Sequence, residues 1–488
     1  MPSASSPSTA TAFYVCALAL YDDVKVMRDR ADRTSAAGLL LAATVWQCEG
    51  DVLRAEAALR RAAAMADDRD LAYVVDLFAP LLISRGLFTR AAVLLALPAA
   101  PVLELGRVAL QSVVDAAAGA RELSERRSLA VREALPELDD DVLRLRIHQR
   151  LALAAYYRGA AAEALDEAAA GIRLARLLGA HRFACHLHTV AYATHYAWVG
   201  DFDAAWRHAA AIGREATLGG DASHRAFSRV AHYELAVERG DDEQVAEAHD
   251  ALEAEPLRER YRRRFAAGIA DALQLAWAGE FPTCRAVLNV LKDTCGRTDG
   301  ERALCRALLA VVSVALGDDD AARRFSRQAI SGSARPEKRT LAYELRYRRL
   351  ARALAVIAGD IIGDVVPGRR AAEARFVADD PSTAALLRLR TGAAVEDVPA
   401  DVRGYARLVV LAREGRALRP STGPLTATEI EILTFVSNGR NAPEIATIMG
   451  RSAHTVRTHI RNAGSKLEAH GRVGMVTRAR QLGLLPDC

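Results

Sequence analysis

Arg457, Thr458 and Arg461 are the residues of this 488-residue chain whose types and spacing point most directly to chemistry. They fall in "PEIATIMGRSAHTVRTHIRNAGSKL", Pro443 to Leu467, where two short apolar patterns are separated by Gly450 and Ser452. The second pattern carries Arg457, Arg461 and Lys466 and no acidic residue. Two arginines four apart share one side of a helix, with Thr458 beside them. A guanidinium fork matches the O6/N7 edge of guanine, and a threonine methyl or hydroxyl can meet a base edge. Ser452, Thr455 and Lys466 are better placed for phosphates, which fix register without reading sequence.

Four helices are expected to position these groups. The first runs from about Ala427 to Asn438, with Thr426 as N-cap and Glu429 three residues on, a capping box. Its apolar face is Ile432, Leu433 and Val436, and Gly439 stops it. The second starts at Pro443, a residue suited to a first helical position, and carries Ile445, Ala446 and Met449. Gly450 turns the chain, and Ser452 caps a third helix whose Val456, Ile460 and Leu467 face inward. A fourth spans about Val473 to Leu482. Helix, tight turn and a second helix with outward cations is a geometry that fits a major groove. Charge agrees. Residues 425–484 hold eight of the 65 Lys/Arg and four of the 61 Asp/Glu, which leaves 57 of each in the rest of the chain. The whole net charge of +4 therefore sits in this last domain, the footprint of a polyanion partner.

This region closely resembles the LuxR-type DNA-binding domain. The matching residues are Leu425-Thr426, Glu429, Leu433, Gly439, Glu444-Ile445-Ala446, Ser452, Thr455-Val456, His459, Lys466-Leu467 and Arg472, in the family's order and spacing. By that resemblance Arg457, Thr458 and Arg461 fall on base-contacting positions. Ala442 and Pro443 depart from the family's usual Asn and Lys. The resemblance implies double-stranded promoter DNA as partner and a homodimer on it. Pairing would run through the fourth helix, with Val476, Ala479 and Arg480 as an exposed seam.

Ahead of this domain a degenerate phrase recurs: an apolar helix end, a Gly, often an acid, then a helix rich in small residues. Its glycines are Gly50, Gly86, Gly119, Gly159, Gly200, Gly240, Gly279, Gly317 and Gly359, spaced 36, 33, 40, 41, 40, 39, 38 and 42 apart. Such a period marks stacked helix pairs, because no single pair can bury its own apolar face. Gly supplies the left-handed conformation that ends one helix, and the acid favours the start of the next. The phrase resembles the tetratricopeptide repeat: Gly200 to Ala205 and Gly159 to Ala164 fit its turn Gly and following small residue.

The fold class expected is all-α: a TPR-like α-solenoid of stacked helix pairs followed by a four-helix LuxR-type helix-turn-helix domain. The divisions are a disordered tip over 1–10, repeats over 11–415, a linker over 416–424 and the helix-turn-helix domain over 425–488. "LRPSTGPLT" supplies the linker, since Pro420, Gly423 and Pro424 cannot continue a helix. This plan resembles the large ATP-dependent LuxR regulators. The chain has no G-x-x-x-x-G-K-[ST], so no nucleotide or other cofactor is expected.

In the repeats, His181, Cys185, His188, Tyr192 and His195 form one helical stripe at steps of four, three, four and three. On the first helix of a pair it would line a concave groove, as a wall of packed histidines or as a contact surface for a small molecule or peptide. One helix rarely completes a closed four-ligand metal site, so no metal is assigned. Asp139-Asp140-Asp141 and Asp318-Asp319-Asp320 sit where helix caps are expected. The run Arg258 to Arg264 reads as a solvated face. GxSxG, HExxH and dinucleotide fingerprints are missing, so no enzyme is expected.

Hydrophobic residues make up 51 % and charged residues 26 %, enough for a large core. Aromatics are only 6 %, while the helix formers Ala, Leu and Arg recur throughout. Seven cysteines with no CxxC pair read as reduced thiols, not a disulfide framework. The N-terminal stretch has no basic region before its apolar run, and no membrane span is expected. The reading is a cytoplasmic, nucleoid-associated regulator. Its partners are promoter DNA, a second copy of itself, RNA polymerase, and a ligand or protein at the repeats. The rival reading is a helical-repeat scaffold whose last domain binds protein.

Overall fold

The computed structural model describes residues 34–66, 68–97, 101–257, 265–294, 298–334, 342–364, 381–391, 393–417, 425, 427–467, 469 and 471–485. Every regular element among them is a helix, and none is long and apolar enough to cross a membrane. The expected N-terminal tip, the run Arg258 to Arg264, the cap Thr426 and linker residues 418–424 lie outside the described residues. The chain divides into two compact units, Met1–Ala412 and Arg413–Cys488.

In the first unit the repeated phrase becomes a series of helical hairpins. They are α1 (Ala36–Cys48) with α2 (Val52–Met65), α3 (Asp68–Ser84) with α4 (Phe88–Leu95), and α5 (Glu104–Ala117) with α6 (Arg121–Ala134). Next come α7 (Asp141–Arg158) with α8 (Ala161–Leu177), α9 (His181–Thr194) with α10 (Phe202–Leu218), and α11 (Ala222–Arg239) with α12 (Asp242–Glu253). After these stand α13 (Phe265–Trp277) with α14 (Phe281–Thr294), α15 (Asp299–Ala315) with α16 (Asp319–Ala334), then α17 (Ala342–Ile361), α18 (Pro381–Leu387) and α19 (Arg403–Ala417).

Eight of the nine expected glycines sit at the hairpin turns with φ between 67° and 84°. The acid after the glycine does more than face a helix dipole. Asp51, Asp201, Asp241 and Asp318 each accept the backbone N–H three residues on, at 3.1, 2.9, 3.1 and 3.1 Å. Each such cap is worth about 1 kcal/mol. Gly359 departs from the expectation: it is buried inside α17, and the turn is made four residues later at Gly363, with φ of 70°. Asp140 likewise caps α7, accepting from Val142 and Leu143.

Each hairpin packs on the next in chain order, and small residues such as Ala164, Ala205 and Ala322 are fully buried where helices meet. Charges are buried as well. Asp76 of α3 accepts from Arg146 and Arg150 of α7 at 2.7 and 2.6 Å. Burial opposes ionisation of this carboxyl, but the two guanidiniums outweigh it and hold the group below the usual carboxylate range.

The first unit also closes on itself at α11. α9 runs into a π-helical turn, His195–Val199, which packs against α17. The first turn of α19 lies against the end of α11: the Trp277 indole donates to the Gly404 carbonyl at 3.3 Å, and Tyr405 donates to Glu238 at 2.8 Å. A Cβ on Gly404 would stand 2.1 Å from the Val237 carbonyl oxygen and 3.1 Å from the Trp277 ring. Backbone, not a flexible side chain, blocks it. Gly404→Ala is therefore expected to destabilise the chain by about 1–3 kcal/mol, read as a lower denaturation midpoint of the full-length protein. An unchanged midpoint would contradict this close approach.

Candidate nucleic-acid interface

The second unit is built on α20 (Ala427–Ser437), α21 (Ala442–Met449), α22 (Ala453–Lys466) and α23 (Gly471–Gln481). Its apolar stripes meet in two small clusters. One gathers Ile432, Val436, Ile445, Ala446 and Val456, the other Leu433, Ala463, Leu467, Met475 and Ala479. α22 is thus fixed on its inner face by Val456 and Ala463, with Ile460 partly buried between them.

The turn that aims α22 follows the rules of the hairpins. Gly450 takes φ of 61° and ends α21. Ser452 Oγ then accepts the Thr455 N–H at 3.0 Å and lies 2.8 Å from the Thr455 hydroxyl. At the other end of α21, Asn441 and Glu444 form a reciprocal capping box at 3.0 and 2.8 Å. Asn441, directly before Ala442, is thus the N-cap of α21.

On the opposite face of α22, Arg457 and Arg461 are solvent-exposed, one turn apart. The backbone of Thr458 lies in α22 between them, and its side chain is outside the described set. Ser452 is exposed and Thr455 partly so, at the helix start where backbone amides and hydroxyls can meet a phosphate. Arg451, exposed beside Ser452, belongs to the same edge. It was not singled out from sequence, although its place between the turn Gly and the cap could have marked it.

Lys466 differs from the expectation that it meets phosphate. Its ammonium is 2.7 Å from Glu429 Oε2, and Glu429 is only 3 % exposed. Burying a carboxylate without a cation is costly, so Lys466 is held in the fold. The sequence carried the signal: Glu429, Leu433 and Val436 follow one helical stripe, which puts an acid on the core face. The seam expected on the fourth helix also changes. Ala479 is fully buried and Val476 packs on the core, because Met475 and Ala479, one turn apart, form the inner face of α23. The outward residues are Arg472, Val473, Thr477 and Arg478, with Val473 80 % exposed.

The histidine stripe of α9 is not an open groove wall. Cys185, His188 and Tyr192 are buried, and His181 and His195 partly so. The stripe packs against α10 and α11: His181 on Glu215 at 2.8 Å, Cys185 Sγ on the Ile212 carbonyl at 3.7 Å, His188 on His208 at 2.9 Å, and Tyr192 on Glu234 at 3.4 Å. The His195 ring stacks on His208 at 5.5 Å. Burial and the neighbouring His208 push His188 down to about 3, so it is neutral in ordinary buffer. Among the described residues no group of three His, Cys, Asp or Glu is arranged to hold a metal ion.

Residues 423–479 match the profile of the family described as bacterial regulatory proteins, luxR family. The chain is 40 % identical over 65 residues to the HTH-type transcriptional activator RamA of Corynebacterium glutamicum, covering 13 % of this chain and 23 % of that protein. It is 44 % identical over 55 residues to the transcriptional activator protein VanR of Vibrio anguillarum, covering 11 % and 23 %. It is 34 % identical over 96 residues to the quorum sensing-dependent transcriptional regulator RpaR of Rhodopseudomonas palustris, covering 18 % and 39 %. The alignments thus span about a quarter to two fifths of those relatives. The C-terminal unit carries a luxR-family helix-turn-helix domain, which supports DNA-binding transcription regulation.

Removing Lys466 should cost fold before it costs DNA binding. Lys466→Ala removes the ammonium that stands 2.7 Å from the buried Glu429 carboxylate and is expected to destabilise the second unit by about 2 kcal/mol, seen as an earlier transition on melting. Replacing both partners, as Lys466→Met with Glu429→Leu, should recover much of that loss. A Lys466→Ala protein that melts like wild type but shows a shallower salt dependence of DNA affinity would return Lys466 to the phosphate contacts.

Proposed function

We propose that the protein is a non-catalytic, sequence-specific transcription regulator that reads promoter DNA through α22. The repeat unit is the sensor, and a small molecule or protein bound to it controls when the reader acts. The observation that carries this reading is the two-faced character of α22. Val456 and Ala463 lock one side into the core, while Arg457 and Arg461 stand exposed on the other, directly after the Gly450 turn. A helix held this way presents a forked donor pair to a major groove at low cost in side-chain ordering. Arg457, Thr458 and Arg461 are assigned to bases, Ser452 and Thr455 to phosphates.

One such domain covers few base pairs, so a two-fold homodimer on DNA is part of the proposal. The outward face of α23, centred on Val473, is the surface assigned to pairing. The cytoplasmic nucleoid and contact with RNA polymerase follow from a promoter-bound role. The relatives named as transcriptional activators and regulators support the reading.

Arg457→Ala and Arg461→Ala should each weaken binding to a selected operator ten- to a hundred-fold, about 1–3 kcal/mol, with a smaller effect on random DNA. The measurement is a titration of full-length protein on both DNAs at several salt concentrations. Equal occupancy by the double variant and wild type would exclude α22 as the reader and favour the scaffold reading. Val473→Asp should leave the melting profile unchanged while weakening binding to a two-half-site operator more than to a single half-site. Equal losses on both would remove α23 from the pairing surface.

A further inference from the structure

A carboxyl pair at the closure of the repeat unit has more acceptor oxygens than protons to satisfy them. Glu234 and Glu238 lie one turn apart on α11, and the single hydroxyl of Tyr196, on the π-helical turn, is 3.0 Å from Oε1 of each. A phenol carries one proton and can donate to only one carboxylate. With both acids ionised, one of these contacts would set two bare lone pairs against each other.

Glu238 has its charge matched. Tyr405 donates to its Oε1 at 2.8 Å and Arg346 to its Oε2 at 2.8 Å. Arg346 also faces Asp401, donating to its carbonyl at 2.7 Å and its carboxylate at 3.4 Å, and its guanidinium lies 4.9 Å from the Tyr196 and Phe202 ring centres. Among the hydrogen bonds described, Glu234 has Tyr196 and a long contact of 3.4 Å from Tyr192. We propose that Glu234 carries the missing proton and that this proton latches α19 to α11. The protonated carboxyl donates to the Tyr196 oxygen, which frees the Tyr196 hydroxyl to donate to Glu238.

The surroundings fit a proton that comes and goes. Glu234 is faced by Tyr192 from α9, Tyr196 from the π-helical turn, Glu238 from its own helix, Arg346 and Tyr347 from α17, and Tyr405 from α19. The α13 side of the adjoining cavity is apolar there, with Ile269 and Leu273. That cavity holds about 10 Å³, roughly the space of one ordered water beside the carboxyl. Burial and the charge of Glu238 push Glu234 up to about 7. Loss of the proton adds a negative charge beside Glu238, whose guanidinium partner Arg346 is already shared with Asp401. The first turn of α19 is held by those same groups through Tyr405 and Asp401.

The latch does not depend on how α22 is used, and its test needs no DNA. The folded carboxyl binds its proton more tightly than the unfolded one, whose ordinary value is 4.5. Its contribution to stability is therefore present at low pH and is lost as pH rises through about 7. Melting temperatures of full-length wild type and Glu234→Gln are compared from about pH 5 to pH 8.5, with amide exchange of residues 401–409 followed in parallel. Wild type should lose melting temperature relative to the Gln variant progressively above about pH 5 and level off near pH 7, and exchange of 401–409 should quicken over the same range in wild type alone. Parallel curves would overturn the proposal. Should Glu234→Gln fold poorly, difference infrared spectroscopy of wild type against Tyr196→Phe decides. A protonated-carboxyl band that disappears between about pH 5.5 and pH 8.5 supports the latch in wild type. A wild-type spectrum with no such band refutes it.

Discussion

A helix can be followed at once by another only if the chain reverses through a left-handed residue and the next helix finds an acceptor for its first free amides. Both units rest on that constraint. In the repeats it is met by a glycine and an aspartate, as at Gly200 and Asp201 or Gly240 and Asp241. In the second unit the same device is Gly450 with Ser452 as the acceptor. There it sets the angle at which α22 leaves α21, and therefore which face of α22 is turned outward. A β-carbon at Gly450 would strain the left-handed turn, and an apolar residue at Ser452 would leave the Thr455 amide without its cap.

What the sequence made legible follows from this locality. A turn glycine and its cap lie within five residues of each other, so their period could be read without knowing the packing. Gly359 misled because "VIAGDIIGD" contains the phrase twice: Gly359 and Asp360 imitate it, but Ile361 continues the helix and Gly363 makes the turn. Which face a helix buries was legible where the stripe was apolar, as at Ile432, Leu433 and Val436. It was not legible where the stripe was mixed. His181 to His195 look like a polar wall, yet their partners Glu215, His208 and Glu234 come from the two following helices. Lys466 looks like a surface cation, yet its partner is 37 residues away on the core side of α20.

The same limit hid the closure of the repeat unit. Glu238 meets Tyr405 across 167 residues and Arg346 across 108. No local pattern announces such pairs, and the glycine that admits them, Gly404, is unremarkable in sequence. These long-range contacts join the middle of the repeats to the start of α19. A charged network of this kind is weak as a source of stability but specific as a register mark, since each group fits only one set of partners.

The central claim is that the arginine face of α22 enters a major groove. The most direct measurement is methylation protection on a selected operator bound by the full-length protein, scoring guanine N7 in the major groove and adenine N3 in the minor groove. The account predicts protected guanine N7 atoms, in two clusters about one helical turn apart, with at least one guanine per cluster exposed again when Arg457 or Arg461 is replaced by Ala. Protection confined to adenine N3, or guanine protection that survives both replacements, would contradict it.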